Sequence, residues 1–426
     1  MKKYIMRAPQ SPFKNPTHIS AIYHDLVSSN SGNLIFVHSI ARALMRDGNQ
    51  IDFTKANKTW SEEEVRRINA EYDAFIIPLA NAFRVSFIDQ MKVLTKNIKR
   101  LNIPCIVVGV GYQGKTDGSI DKNPALDSAV KDFIKAVLKK SNMVGLRGEF
   151  TATYLERLGF KPQKHFTVIG CPSMYLYGED LPKARPFTLN KDTKISLNSK
   201  VMLPQKVHNY MHDICTKIED HIYVVQNTYE LKTLYCGMRL TTSSPTVLKD
   251  KEFYPFNYKH RLYQENKVRG FINAESWFEY LRGRDLSFGT RIHGNICAVL
   301  SGTPAFILAC DGRVRELARY HNIQHIALGD LKVKKDIFKL LENADFDSIQ
   351  KGHAERFNHY LDFMHANELQ TIFDEPTVKS DFDEEIKKID FEKGIVPLPF
   401  ADYHEQTEAL RFWDLTYTDM RAKASR

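Results

Sequence analysis

Apolar residues follow two rhythms along this chain. Short unbroken runs alternate with longer stretches in which apolar positions return about every three to four residues. Ala74–Leu79 (AFIIPL), Ile103–Val110 (IPCIVVGV), Met143–Leu146 and Phe166–Gly170 read as buried strands. Phe87–Leu101 lines Phe87, Ile88, Met91, Leu94 and Ile98 on one helical face. Ala129–Leu138 is a second amphipathic helix, and Glu149–Leu158 a third that ends at Gly159. Strands separated by helices of this length predict βαβ units and a parallel sheet.

The pattern then breaks. Residues 182–193 are rich in Pro, Lys and Arg without periodicity and read as a linker. A second α/β unit follows, with strands at Lys194–Leu197 (extending toward Val201), His221–Gln226, Asp285–Phe288 and Thr303–Leu308. Its helices are His293–Ser301 and Val314–Tyr320. Phe346–Leu369 predicts one long amphipathic helix. Residues 374–390 are acidic and expected to be exposed, and Tyr403–Met420 is expected to dock Leu410, Phe412, Trp413 and Leu415 on the body. The expected organisation is a first Rossmann-like domain over 1–181, the linker 182–193, a second Rossmann-like domain over 194–345, and a helical, acidic extension over 346–426, with the two parallel sheets facing a cleft.

Composition narrows the classes. Of 426 residues, 43% are hydrophobic and 26% charged, which excludes general disorder. No apolar run approaches the roughly 18 residues of a membrane span. Met1–Pro16 is polar and broken by prolines, unlike a secretory signal. The six cysteines form no CxxC pair and read as reduced core thiols of a cytoplasmic protein. Net charge is +9, but residues 331–426 carry 14 Lys and Arg against 20 Asp and Glu, leaving 46 against 31 in the first 330. A basic body with an acidic end implies an anionic partner for the body. No nucleic-acid module or basic–aromatic interleaving accompanies it.

Ligands of open α/β sheets bind beyond the carboxyl ends of strands, beside helix N-termini. Asp285–Thr303 (DLSFGTRIHGNICAVLSGT) places Arg291, His293 and Asn295 at such a turn. Arginine grips carboxylates and phosphates, and histidine moves protons near neutral pH. Arg147 and Glu149 stand at the next such turn, although an acid in a first helical turn also complements the helix dipole. Asn81 and Arg84 follow the Ala74–Leu79 strand, and Asp311–Arg313 follow Thr303–Leu308. Ser31–Asn33 precede a helix over Leu34–Met45 and are expected to expose its amides to a phosphate or sugar, or to act as a plain cap. Gly109–Gly114 (GVGYQG) matches G-x-G-x-x-G, yet loop-like KTDGSIDKNP follows where a dinucleotide fingerprint needs a helix. Its glycines are read as a tight turn presenting Tyr112 and Gln113 to the cleft. His208 and His212 share a helical face without a third ligand, so no metal site is expected.

Four segments in order carry a resemblance: NSGNLIFVHSIARAL, LRGEFTATYLERLGF, VIGCPSMYL and GTRIHGNICAVLSGTPAFIL. They resemble the glycine/asparagine turn and the R-[DE]-x-x-[ST], G-[DC]-P-S and R-[LI]-H segments of the polysaccharide pyruvyl transferase family. Departures are PLANAFR after the second strand, GNLIF in place of G-N-x-G-D, Cys171 where Asp is frequent and Arg313 where Lys is common. The resemblance implies a GT-B-like fold and transfer of pyruvate from phosphoenolpyruvate to a sugar as a ketal, in bacterial capsule, exopolysaccharide or cell-wall glycan assembly. It implies Arg147 and Arg291 on the donor's carboxylate and phosphate, and His293 as acid/base. Asn33, Asn81, Tyr112, Gln113, Glu149, Asn295 and Arg313 remain substrate-binding candidates. No metal or cofactor is implied beyond the co-substrate. The acceptor sugar is expected to be lipid-diphosphate-linked in places, with peripheral contact at the inner membrane. The same basic cleft would also suit a GT-B glycosyltransferase that uses a nucleotide sugar.

Overall fold

The computed structural model describes residues 1–114, 119–200, 202–238, 254–255, 257–331, 336–375 and 380–424. Val201, where the extended strand was expected to end, lies outside them, as do residues 376–379 of the acidic stretch. The first lobe holds β1 (Lys3–Arg7), β2 (Gln50–Thr54), β3 (Ala74–Pro78), β4 (Cys105–Val108), β5 (Val144–Leu146) and β6 (Phe166–Val168). All pair in parallel, in the order β2-β1-β3-β4 and then β5-β6. Gly109 N–H donates to Gly145 O (2.9 Å) and Arg147 N–H to Val110 O (3.0 Å), which joins the second pair to the edge of β4.

The second lobe holds β7 (Ile195–Asn198), β8 (His221–Val225), β9 (Val268–Gly270), β10 (Leu286–Gly289), β11 (Ala305–Ala309) and β12 (His325–Ala327). Its order is β12-β11-β10-β7-β8-β9, again parallel. Chain order reverses between β1 and β3 in the first sheet and between β7 and β10 in the second. Such switch points open crevices at the strands' carboxyl ends. Two Rossmann-like sheets with their crevices toward one another constitute a GT-B-like α/β fold.

Strand alternation sets the layers. Tyr4, Met6, Ile76, Ile106 and Val108 face a central apolar layer, while Ile5, Phe75, Ile77, Cys105 and Val107 face the outer helices of the first lobe. The central layer continues into Ile296, Leu300, Trp277, Ile307 and Leu317 of the second lobe, so the lobes share a core. All six cysteines are free thiols, five of them buried. No helix among the described residues is long and apolar enough to cross a membrane.

The extension differs from expectation. Residues 346–369 form a 3-10 turn (Phe346–Gln350) and a separate helix (His353–Ala366). Gly352, at φ 68°, breaks the rhythm between them. The acidic stretch is not a solvated face throughout: Asp381–Lys387 is a helix that buries Phe382, and Arg42 grips Asp383 through two hydrogen bonds of 2.7 Å. Ile395 then pairs with Gly270 on the free edge of β9, and Glu405 meets His18 at 3.0 Å. Covering that edge blocks strand addition. In the last helix, Tyr403–Ala424, Ala409 and Phe412 dock; Leu410, Trp413 and Leu415 fall on other faces and stay largely exposed. Trp413 still donates its indole N–H to Cys236 O (3.0 Å).

Phe382 packs against Phe13 (5.0 Å between centroids) and edge-on to His38 (4.7 Å). Phe382→Ala is expected to cost about 3 to 4 kcal/mol by the cavity it leaves, measurable by urea denaturation.

Candidate active site

The two switch points meet at a pocket of about 320 Å³. From the first lobe come Arg7 at the end of β1, Asn81 and Arg84 after β3, and Asn33 and Phe36 on the helix Gly32–Leu44. From the second come Asn227 after β8, His293 after β10 and Arg313 after β11. Arg147, after β5, is fully buried and does not itself line the pocket, but it touches a residue that does: its Nη2 donates to His293 Nε2 (3.4 Å) and its Nε to Gly109 O (2.8 Å).

The pocket is built for negative charge. Arg7 Nε, Arg84 Nε, Arg147 Nη1 and Arg313 Nε are buried without a hydrogen-bond partner. Its lining includes no Asp or Glu among the described residues. Asp311 approaches Arg313 at 3.7 Å but is also held by Lys200 at 2.9 Å. Burial lowers Arg7 to about 10. Burial also lowers Arg84, with the Arg313 charge opposing it further. Crowded, incompletely bonded guanidinium groups in one pocket are relieved by a multivalent anion.

His293 stands at the start of the helix Ile292–Leu300 and packs on Gly32, whose missing side chain leaves it room. Arginine only donates, so His293 Nε2 is the bare nitrogen and Nδ1 carries the proton. Burial, then Arg147 and Arg313, hold its pKa well below the ordinary histidine value. These surroundings favour the neutral imidazole in the free protein.

The structure redistributes the sequence candidates. Asn33, Asn81, His293 and Arg313 line the pocket. Gln113 is exposed and accepts from Asn81 Nδ2 (3.2 Å) at its margin. Tyr112 does not face the cleft: it is buried, stacked on Tyr154 with centroids 4.1 Å apart. Glu149 is exposed in the first turn of its helix and is not among the pocket's lining residues. Asn295 is fully buried and bonds Ser287, Gly289 O and Arg291 O, holding the strand-to-helix turn. The amides of 31–34 are not free for a ligand; Gln226 O, Asn30 Oδ1, Asn30 O and Ser31 O accept them.

Arg291 is the largest correction. Its guanidinium turns away from the pocket, donating to Ser199 O (2.8 Å), Asn227 Oδ1 (3.2 Å) and Glu230 Oε2 (3.2 Å). Burial works against this cation, and Glu230 with Tyr254, Tyr223 and Tyr229 outweighs it, so its pKa is raised. Arg291 ties β10 to β7 and β8 at the switch point, and Arg313 occupies the place on the pocket wall expected of it. Sequence reasoning missed Arg7, because β1 carries only Tyr4, Ile5 and Met6 as its apolar signal. It also missed Glu230, which the sequence marks only as the acid of a capping box begun by Asn227, with no sign that it would meet Arg291.

No curated protein sequence matches the chain significantly. Among solved structures, an uncharacterised protein of Klebsiella pneumoniae is 13% identical over 76% of this chain and 93% of its own, with a TM-score of 0.41. Anabaena HepE, solved with UDP and glucose, is 13% identical over 86% and 98%, with a TM-score of 0.43. The UDP-GlcNAc 2-epimerase of Methanocaldococcus jannaschii is 11% identical over 86% and 99%, with a TM-score of 0.43. The sequence profile of one family matches residues 30–312, which include Asn33, Asn81, Arg84, Arg147 and His293. The chain belongs to the polysaccharide pyruvyl transferase family.

Proposed function

We propose that this protein moves pyruvate from phosphoenolpyruvate onto two hydroxyls of a sugar, in a polysaccharide or its lipid-linked precursor, forming a cyclic ketal and releasing phosphate. The observation that carries the reading is the pocket itself: incompletely bonded arginines from both lobes converge on one neutral histidine. Phosphoenolpyruvate brings a phosphate and a carboxylate, and Arg147 and Arg313 are the nearest clamps for them. Its negative charge offsets the two arginines that depress His293, so the ring takes up a proton as the donor binds. That proton passes to the methylene carbon, and the centre bearing the phosphate becomes oxocarbenium-like. One sugar hydroxyl adds there, the bond to phosphate oxygen breaks, and the second hydroxyl closes the ring. Of the two hydroxyl protons, one restores His293 and the other leaves with phosphate. The fixed guanidinium groups stabilise the departing charge. The reading places the reaction in the cytoplasm, with the basic body against the inner membrane when the acceptor is lipid-linked.

Phosphorus NMR of protein, phosphoenolpyruvate and a panel of glycan acceptors is the test. Inorganic phosphate should accumulate only when donor and acceptor are both present. Stabilisation by UDP- or GDP-sugars with none by phosphoenolpyruvate would instead favour glycosyl transfer. The pKa direction gives a second check. Because the neutral form of His293 is favoured in the free protein and the charged form beside a bound anion, donor affinity is expected to rise as pH falls below neutrality. Calorimetry in buffers of different ionisation heat should register proton uptake on binding; release or no exchange would contradict the assignment.

A further inference from the structure

We propose that Glu316 is a positioning residue that latches the two lobes together so that Arg147 and Arg313 meet on one donor. The inference rests on the reading of the pocket as the donor site. Glu316 belongs to the second lobe, on the helix Gly312–Tyr320, and shares a face with Arg313 three residues earlier. Its carboxylate crosses to the first lobe. Oε2 accepts from the amides of Phe150 (2.9 Å) and Thr151 (3.2 Å), and Oε1 from the Thr151 hydroxyl (3.1 Å). These amides open the helix Glu149–Arg157, which lacks a side-chain cap from its own N-cap residue, Gly148. A residue of the opposite lobe therefore supplies the cap that helices ordinarily take from their own chain neighbours.

Gly148 shows how closely the latch is seated. Its backbone is extended (φ −175°, ψ 173°), a conformation any residue adopts, so conformational freedom does not explain the glycine. A Cβ at this position would lie 2.4 Å from Glu316 Oε2. Glycine leaves the space that the carboxylate fills. The turn held in this way is the one that carries Arg147, immediately before Gly148. Thr151 extends the hold, because its hydroxyl oxygen also accepts from Tyr112 N–H (3.0 Å) in the loop after β4. One carboxylate thus fixes the Arg147 turn against the helix that carries Arg313. Burial raises the Glu316 carboxyl to about 7, against the hydrogen bonds from Thr151 and Phe150 and the Arg313 charge. A neutral amide is accordingly expected to serve in its place.

The test uses inorganic phosphate as the probe, so that it does not depend on turnover. In Glu316→Ala, phosphate affinity by calorimetry should fall about tenfold or more, because the two clamps lose their common frame. Hydrogen exchange at the Phe150 and Thr151 amides should accelerate in the same variant. Glu316→Gln, which keeps an acceptor for those amides, should stay within about threefold of wild type. Gly148→Ala leaves the carboxylate in the chain but removes its seat, and should reproduce the loss even if Glu316→Ala fails to fold. The Gly148→Ala/Glu316→Ala pair should lose no more than either single change. Faster exchange at both amides with unchanged phosphate affinity would overturn the proposal, as would unchanged exchange. Loss of phosphate affinity in a protein that never turns over phosphoenolpyruvate would support the latch and remove the pyruvyl reading instead.

Discussion

Arg147→Met is expected to lower turnover about a hundred- to a thousandfold, the usual loss for one preorganised charge donor, without lowering the melting temperature. The residue is fully buried. Its cation sits over the Phe36 ring at 4.7 Å and bonds Gly109 O, while Nη1 has no partner. Among the described residues no carboxylate lies within ion-pair distance of it, and burial lowers its pKa. An unpaired buried ion costs folding several kcal/mol. The losses in the variant are smaller: about 1 to 3 kcal/mol for the carbonyl left unsatisfied and about 1 to 2 kcal/mol for the ring contact. Methionine fills similar volume, so the balance leaves stability unchanged or improved. A residue whose removal stabilises the protein and disables it is one held in place for a ligand. Thermal melts with an assay of phosphate release check both halves; a destabilised variant with wild-type turnover would make Arg147 a structural residue.

Arg291→Ala is expected to behave in the opposite way, unfolding with a loss of about 3 to 5 kcal/mol, the cost of stranding a buried partner. That partner is Glu230, 2% exposed, which also accepts from the amides of Gln226 (3.1 Å) and Asn227 (2.8 Å) and from Tyr254. Replacing both charges, as Arg291→Met with Glu230→Gln, should recover a large part of the loss, because no lone ion then remains inside. Urea denaturation of the single and double variants measures this. A stable Arg291→Ala protein that no longer binds phosphate would return Arg291 to the donor site.

The contrast between these two arginines shows where reading from sequence stops. Both stand at the carboxyl end of a strand before a helix, and the same local pattern pointed to both. What separates them is Glu230, 61 residues from Arg291 in the chain and visible only when β7, β8 and β10 are assembled. Glu316 was hidden for the same reason, since its partners lie 165 and 166 residues away. The strands β3, β4, β5, β6, β7, β8, β10 and β11 were legible because sheets covered on both faces need nearly continuous apolar runs. β9 (VRG) and β12 (HIA) escaped because an Arg and a His interrupt their apolar signal. β1 escaped because it was read as part of a polar terminus. The places of His293, Asn81 and Arg313 on the pocket wall were legible because the switch-point rule directs attention to strand ends, and that of Asn33 because it stands at a helix N-terminus. Tyr112 misled because the same rule says nothing of which way a side chain turns, and stacking on Tyr154 turned this one inward.

The central claim is that an anionic donor binds where arginines of both lobes surround His293. Calorimetric titration of phosphoenolpyruvate into the wild-type protein and into Arg147→Met tests it most directly. Saturable binding with proton uptake in the wild type, absent in the variant, is the result this account requires; no binding to the wild type, or equal binding to both, would contradict it.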